Sequence, residues 1–351
     1  MTDVILHKMV NYTHLAIKIR AMLGKMLTEE DFEKMTHMHT VPEIAAYLKN
    51  HTSYRDSFED IDPEEIHRGD LEIILYRAMI ADALKIAGYL HGWEKAFYRY
   101  VYRKQEVEDL KKMFRALQTG KGLKEINRKT LFISRYSKID FNVSLEATNA
   151  MELVETLKKT KFYALLKPLL RKDNSIDLFA AEMALDSYYF SRMYHQINDR
   201  MSGADKKVML KSFGYDVDFR NMLWIYRSKK YYNLSKERVF TYLIPGGYRL
   251  KRKQLVQLVE AKDGDAVMAM LKKGFYGRII DFDSGHWGNG FFKYVSYLHR
   301  YNIRQNAYTI APMVEYIFLK EIEIVNLTTT IEGVRYKIDP DKMTSFVTGS
   351  H

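Results

Sequence analysis

Leu157-Lys158-Lys159-Thr160-Lys161-Phe162-Tyr163, preceded by Glu146-Ala147, occurs again further along the chain. Glu260-Ala261 leads after the same gap to Leu271-Lys272-Lys273-Gly274-Phe275-Tyr276, and a fainter copy, Leu48-Lys49-Asn50-His51-Thr52-Ser53-Tyr54, stands near the N-terminus. The interval is about 110 residues, and self-similarity at a steady spacing decides architecture before any single element does. A second pattern runs in step with the first. Glu106-x-x-Asp109-Leu110-x-x-x-Phe114-Arg115, Asp218-x-x-Asn221-Met222-x-x-x-Tyr226-Arg227 and Glu323-x-x-Asn326-Leu327-x-x-x-Ile331-Glu332 share one template. Leu15-x-x-x-Ile19-Arg20 matches its second half. Apolar residues at i and i+4 make one stripe of a helix, with the neighbouring charge at its edge. The repeated unit is therefore helical, and there are about three of them.

The 351 residues are too many for one small core and suit two or three domains of about 100 to 150 residues. The units expected are residues 1–60 joined with 291–351, then 61–175, then 176–290. Six prolines and an abundance of Leu, Met, Lys, Glu and Ala favour helix over strand. No alternating stretch is long enough for a sheet core, so the expected class is all-α. The absence of cysteine excludes disulfides and thiol chemistry. The first residues lack the apolar core of a signal peptide. The most apolar span, Leu71 to Leu90, carries Glu72, Arg77, Asp82 and Lys85 and cannot cross a bilayer unaided. A net charge of +11 points to a partner with negative surface, whether nucleic acid, lipid headgroups or an acidic protein. The 26 tyrosines suit extended contact surfaces, since each covers an apolar edge while keeping its hydroxyl wet.

Along the chain, residues 10 to 27 read as a helix. Thr28 with Asp31 reads as a capping box, and Thr40-Val41-Pro42-Glu43 as the next helix start. Asp62-Pro63-Glu64-Glu65 is expected to open a helix in the same way, and Leu71 to Leu117 reads as one bent helix or two long ones. Short helices follow over Glu146 to Leu157 and Tyr163 to Leu170, then a long one over Leu178 to Met201. Residues 204 to 231 carry the second template, and Pro245-Gly246-Gly247 is a turn. Lys253 to Lys262 and Asp265 to Lys272 form a short pair, residues 281 to 290 a loop, and Phe291 to Tyr301 and Pro312 to Ile331 the last long helices. Asp339-Pro340-Asp341 starts a short terminal one.

The chemistry-bearing motifs are few. Gly285-x-x-Gly288-x-Gly290 follows no strand and lacks the spacing of a phosphate loop. Asp281, Asp283 and His286 could hold a divalent cation, but their residue types equally suit a polar turn. Nothing calls for a cofactor, a resident metal or a small-molecule substrate. The basic aromatic runs Tyr98-Arg99-Tyr100-Val101-Tyr102-Arg103-Lys104 and Tyr226-Arg227-Ser228-Lys229-Lys230-Tyr231-Tyr232 resemble surfaces that stack and neutralise single-stranded nucleic acid. Both lie beside the repeating template, which gives them a structural reason to exist. A basic nucleic-acid-binding protein is thus the alternative reading. The template residues Arg20, Glu106, Asp109, Arg115, Asp218, Asn221, Arg227, Glu323, Asn326 and Glu332 are expected first to hold repeat to repeat, and are also candidates for partner contact.

Taken together, the three acidic-x-x-Asn/Asp-apolar helices, the segment Tyr242-Leu243-Ile244-Pro245-Gly246-Gly247 and the Leu-Lys endings resemble the AC39 family, the C subunits of archaeal-type and d subunits of vacuolar-type rotary ATPases. The resemblance spans Leu15 to Met343. It implies three similar helical domains with approximate threefold symmetry forming a funnel. It also implies a non-catalytic rotor connector at the cytoplasmic face of the membrane, peripheral to it. The implied partners are the central shaft, made by the D and F subunits, and the membrane proteolipid ring, with anionic lipid headgroups nearby. Glu332 departs from the pattern, standing where Arg115 and Arg227 carry the opposite charge.

Overall fold

The computed structural model describes residues 2–58, 61–120, 122–123, 137–283 and 287–347. Among them there is no strand, only an isolated antiparallel bridge between Leu170 and Ile176. The helices are α1 (Thr2–Leu23), α2 (Glu29–Thr36), α3 (Val41–His51), α4 (Arg68–Ala87), α5 (Gly92–Tyr102) and α6 (Lys104–Gln118). After them come α7 (Phe141–Ser144), α8 (Ala150–Thr156), α9 (Lys161–Leu166), α10 (Leu178–Arg200) and α11 (Gly203–Arg227). The chain closes with α12 (Lys236–Tyr242), α13 (Arg252–Glu260), α14 (Gly264–Lys273), α15 (Trp287–Gln305), α16 (Ala311–Arg335) and α17 (Pro340–Phe346).

Side-chain oxygens set many of the starts. Thr28 accepts from the Asp31 amide while Asp31 reaches back to the Thr28 amide, a complete capping box on α2. Thr40 caps α3 and Asp339 caps α17, each satisfying amides that have no partner within the first turn. Asp62 also caps, but only a single 3-10 turn, Pro63–Glu65, and α4 opens at Arg68 instead of at the proline. The span from Leu71 to Leu117 is neither one nor two helices: it breaks after Ala87 and again at Arg103, giving α4, α5 and α6. α1 is displaced toward the N-terminus of the expected 10–27, and Met26 and Leu27 lie beyond its end.

The expected loop at 281–290 is shorter than its composition suggests, because α15 begins at Trp287. Phe219 stacks on Phe291 with ring centroids 4.1 Å apart and meets Trp287 edge-on at 5.5 Å. Burial of that aromatic stripe outweighs the poor helix propensity of Gly288 and Gly290.

α16 is the hub of the molecule. Every residue from Ala311 to Lys320 is buried, and the helix packs against α1, α2, α3, α4, α5, α15 and α17. A helix apolar on all sides has to be surrounded. The C-terminal part of α16, with Ile324, Leu327, Ile331 and Val334, shares one core with Leu27, Phe32, Ile44, Leu48, Tyr54 and Leu71 from the N-terminal part of the chain. A second core lies between Tyr215 and Leu298. The largest runs from Tyr12 through α5, α6 and α10 to Leu319.

Candidate functional site

The template acids and amides lie in the interior. Glu106 and Asp109 on α6, Asp218 and Asn221 on α11, and Glu323 and Asn326 on α16 are all buried. A carboxylate in an apolar interior needs donors. Asp218 accepts from the Arg249 amide at 2.6 Å, the Leu250 amide at 3.2 Å and the Tyr276 hydroxyl at 2.7 Å. Asn221 pincers Ile244, donating to its carbonyl at 2.9 Å and accepting from its amide at 3.0 Å. Between them the two side chains clamp the turn-containing segment 244–250 onto α11. Glu323 accepts from the Leu27 amide and the Tyr54 hydroxyl, both at 2.7 Å, and from the Lys320 ammonium at 2.6 Å.

Tyr54 and Tyr276 end two of the three Leu-Lys copies, so the two repeating patterns of the sequence are the two halves of one interaction. The third copy breaks the pattern. Tyr163 points its hydroxyl at Glu155 and Lys167. Among the described residues Glu106 receives only Arg103, at 3.1 Å on Oε2, and its buried Oε1 accepts nothing. Asp109 accepts from Gln105 at 3.0 Å and faces Lys112 at 3.6 Å. Burial pushes the carboxyls of Asp109 and Asp218 up to about 6.

The charges that close the template are spread out. Arg115 pairs with Glu182 on α10 at 2.5 Å, and the Arg227 guanidinium lies over the Phe179 ring at 5.7 Å. Glu332 pairs with Arg68 and Arg335, and Arg20 is exposed. Arg115 and Arg227 thus both rest on the first turns of α10, whereas Glu332 is tied to α4.

What the template helices do share is a cavity of 320 Å³. Two positions before each template acid stand Lys104, Asp216 and Glu321, and two positions after stand Glu108, Arg220 and Val325. All six line that cavity. The geometry follows from the helix itself. Two residues turn the helix by about 200°, so if the acid faces its own unit's core, these neighbours face away from it. Phe292, Val295 and His299 from α15 and Tyr76 and Met79 from α4 are among the other residues that line it. Lys104 joins Glu321 at 2.6 Å, linking α6 to α16. Burial works to lower the Lys104 pKa, but the carboxylates of Glu321 and Asp216 together hold it above its ordinary value. Behind the wall, Asp186 of α10 takes Lys111 at 2.8 Å and Arg220 at 3.0 Å, tying α6 and α11 together. The socket is thus a half-buried space, lined by apolar side chains among six charged ones and braced by ion pairs. Its signal in the sequence lies two residues to either side of each repeated acid, where the residue types differ from helix to helix and no repeat marks them.

The other candidates are local. Tyr98 of the first basic run is fully buried, whereas Tyr231 and Tyr232 of the second are exposed. Tyr232 stacks on Phe179 at 4.0 Å. Asp281 accepts from the Asp283 amide at 2.9 Å, and Asp283 pairs with Lys272. His286 lies outside the described residues. Among the described residues no three side chains are grouped to hold a metal ion, and no helix is long and apolar enough to cross a membrane.

Comparison with known proteins agrees with the repeats. The family described as ATP synthase (C/AC39) subunit matches residues 17–346. The A-type ATP synthase C subunit of Methanosphaera stadtmanae is 24% identical over 90% of this chain and 82% of its own length. That of Methanosarcina mazei is 22% identical over 92% of this chain and 89% of its own. That of Pyrococcus horikoshii is 23% identical over 99% and 92%. With a family match that runs through all three template helices, the chain belongs to the ATP synthase (C/AC39) subunit family, whose members are structural, non-catalytic parts of rotary A/V-type ATP synthases.

Proposed function

We propose that this protein is the connector of the rotor, joining the central shaft of the D and F subunits to the membrane proteolipid ring and passing torque between them. The observation that carries this reading is the socket. Three helices bearing the same template contribute equivalent positions to one cavity, which is what a part gathered about an axis requires. In this reading the units 1–60 with 291–351, 61–175 and 176–290 stand around that axis as a funnel, and the socket receives the foot of the shaft.

A torque-bearing part must not yield. Buried ion pairs and close-packed cores resist compression, and the Asp186 bridge and the Lys104 pair with Glu321 brace the socket wall against sliding. The face that meets the ring lies at the cytoplasmic surface of the membrane, where the surplus of +11 favours anionic headgroups, each nearby Lys or Arg contributing about 1 kcal/mol. The test is co-sedimentation with membranes that carry the ring, with the shaft pair added or withheld. Shaft retained on the membrane only when this chain is present supports the connector. Shaft bound equally well without it refutes the proposal.

A further inference from the structure

The socket is built from equivalent positions but not from equivalent chemistry. On α6 it presents Lys104, Glu108 and Lys112; on α11, Asp216 and Arg220; on α16, Glu321 and the apolar pair Ile322 and Val325. Some of these charges are spoken for. Lys104 meets Glu321, Glu108 meets Lys111 at 2.8 Å, Lys112 faces Asp109 at 3.6 Å, and Arg220 meets Asp186. Asp216 is different: among the described residues it makes no direct ion pair or hydrogen bond, although its charge is felt by Lys104, Arg220 and His299, and it is half-buried in the lining. Val325 on α16 is 54% exposed and Phe292 on α15 is 37% exposed, and together they make an apolar lip. The α6 wall ends in Lys112, whose ammonium sits 5.2 Å over the Tyr76 ring.

We infer that the socket is keyed: it admits its occupant in one of the three pseudo-equivalent orientations. This rests on the connector reading, with the foot of the shaft as occupant. That foot is a helical end that sets a cation toward Asp216 and an apolar side toward Val325 and Phe292. Turning it by a third of a revolution would put the cation against the apolar lip and leave Asp216 without it. Each mismatch leaves a charge partly desolvated without a partner, the situation that most strongly rejects wrong docking. A symmetric ring of like residues would have carried no such preference. The keyed arrangement fixes how the rotor's two halves are phased.

The chain has no cysteine, so single cysteines can be placed cleanly. Gln105 and Ile322 occupy equivalent template positions on two walls, each one residue before its acid, and both line the cavity. Gln105→Cys and Ile322→Cys are each labelled with a benzophenone maleimide, bound to the shaft pair of D and F subunits, irradiated and mapped by mass spectrometry. Keying predicts two separate, non-overlapping sets of shaft residues. It also predicts that Asp216→Lys weakens shaft binding by tenfold or more and Asp216→Asn by less. Stable binding with the same shaft residues labelled from both walls would overturn the inference and leave the connector standing. Failure of the unsubstituted chain to bind the shaft at all would overturn the connector and the keyed socket together.

Discussion

Tyr54 and Glu323 lie at opposite ends of the sequence, and the tyrosine hydroxyl donates to the buried carboxylate at 2.7 Å. The bond fastens the first Leu-Lys ending to the last template helix, and the Lys320 ammonium supports the same carboxylate. Burial and the Glu323 charge together push the Tyr54 phenol well above its ordinary value, so it stays a donor at any pH the fold survives. Tyr54→Phe should destabilise the protein by about 1–3 kcal/mol, because it leaves a buried acceptor short of a donor. Urea unfolding of Tyr54→Phe, Glu323→Gln and the double variant should show a coupling energy of at least about 1 kcal/mol. Losses that simply add would mean the two residues act apart.

The three template acids look alike in sequence but should differ in weight. Asp218 and Glu323 each gather three donors, whereas Glu106 has Arg103 alone and one oxygen unserved. Asp218→Asn and Glu323→Gln are expected to cost about 2–3 kcal/mol each, and Glu106→Gln less than about 1 kcal/mol, since an unsatisfied buried acceptor is itself a burden. Denaturant midpoints at neutral pH give the ranking directly. A Glu106→Gln loss equal to the other two would contradict it.

Helix class and many helix starts were legible because they depend on neighbours in the chain: Thr28 with Asp31, Thr40 with Glu43, Asp339 with Asp341. The repeat was legible too, and with it the family. What could not be read is what arises between distant segments. The partners of Asp218 come from Arg249, Leu250 and Tyr276, and no periodicity announces them. The onset of α15 at Trp287 depends on Phe219, an aromatic on another helix. Asp62 carried the same signal as Thr40 yet capped only a short turn, since capping chemistry satisfies a helix start without deciding how far the helix runs. The socket lay between these cases. Its residues follow from helical geometry once the acids are known to be buried, and burial was the missing premise.

Asp109 supplies a pH signature. Burial raises its carboxyl from 3.8 to about 6, with the ammonium of Lys112 pulling the other way. Between those values the folded chain holds a proton that the unfolded chain has released. Its contribution to stability is therefore complete below pH 4 and is lost as pH rises through 6. Asp109→Asn keeps the shape and removes the ionisation. The variant should be more stable than the parent at pH 8, by on the order of 2 kcal/mol, with the gap closing toward pH 4. Chemical denaturation over that range checks this, and a gap that stays constant with pH would show that Asp109 does not titrate as described.

The turn at Pro245-Gly246-Gly247 makes the sharpest steric prediction. Gly246 has φ +92°, which L side chains rarely adopt, and the Tyr194 ring already occupies the space where its Cβ would lie. At Gly247 an added Cβ would come within 2.8 Å of the Leu250 carbonyl and collide with Asp218 Oδ1. Asp218 cannot give way, because it is held by the amides of Arg249 and Leu250. Gly247→Ala must then either open that clamp or displace segment 244–250 from α11, at a loss of about 2–4 kcal/mol. Gly69→Ala is the matched control: in the first turn of α4, with nothing within 4 Å of the new methyl, it should stabilise by about 0.4–1 kcal/mol by restricting the unfolded chain. Thermal melts should move in opposite directions for the two variants. A Gly247→Ala melt indistinguishable from the parent would show that segment 244–250 is not clamped by Asp218, and that the template acid does not tie the turn to its helix.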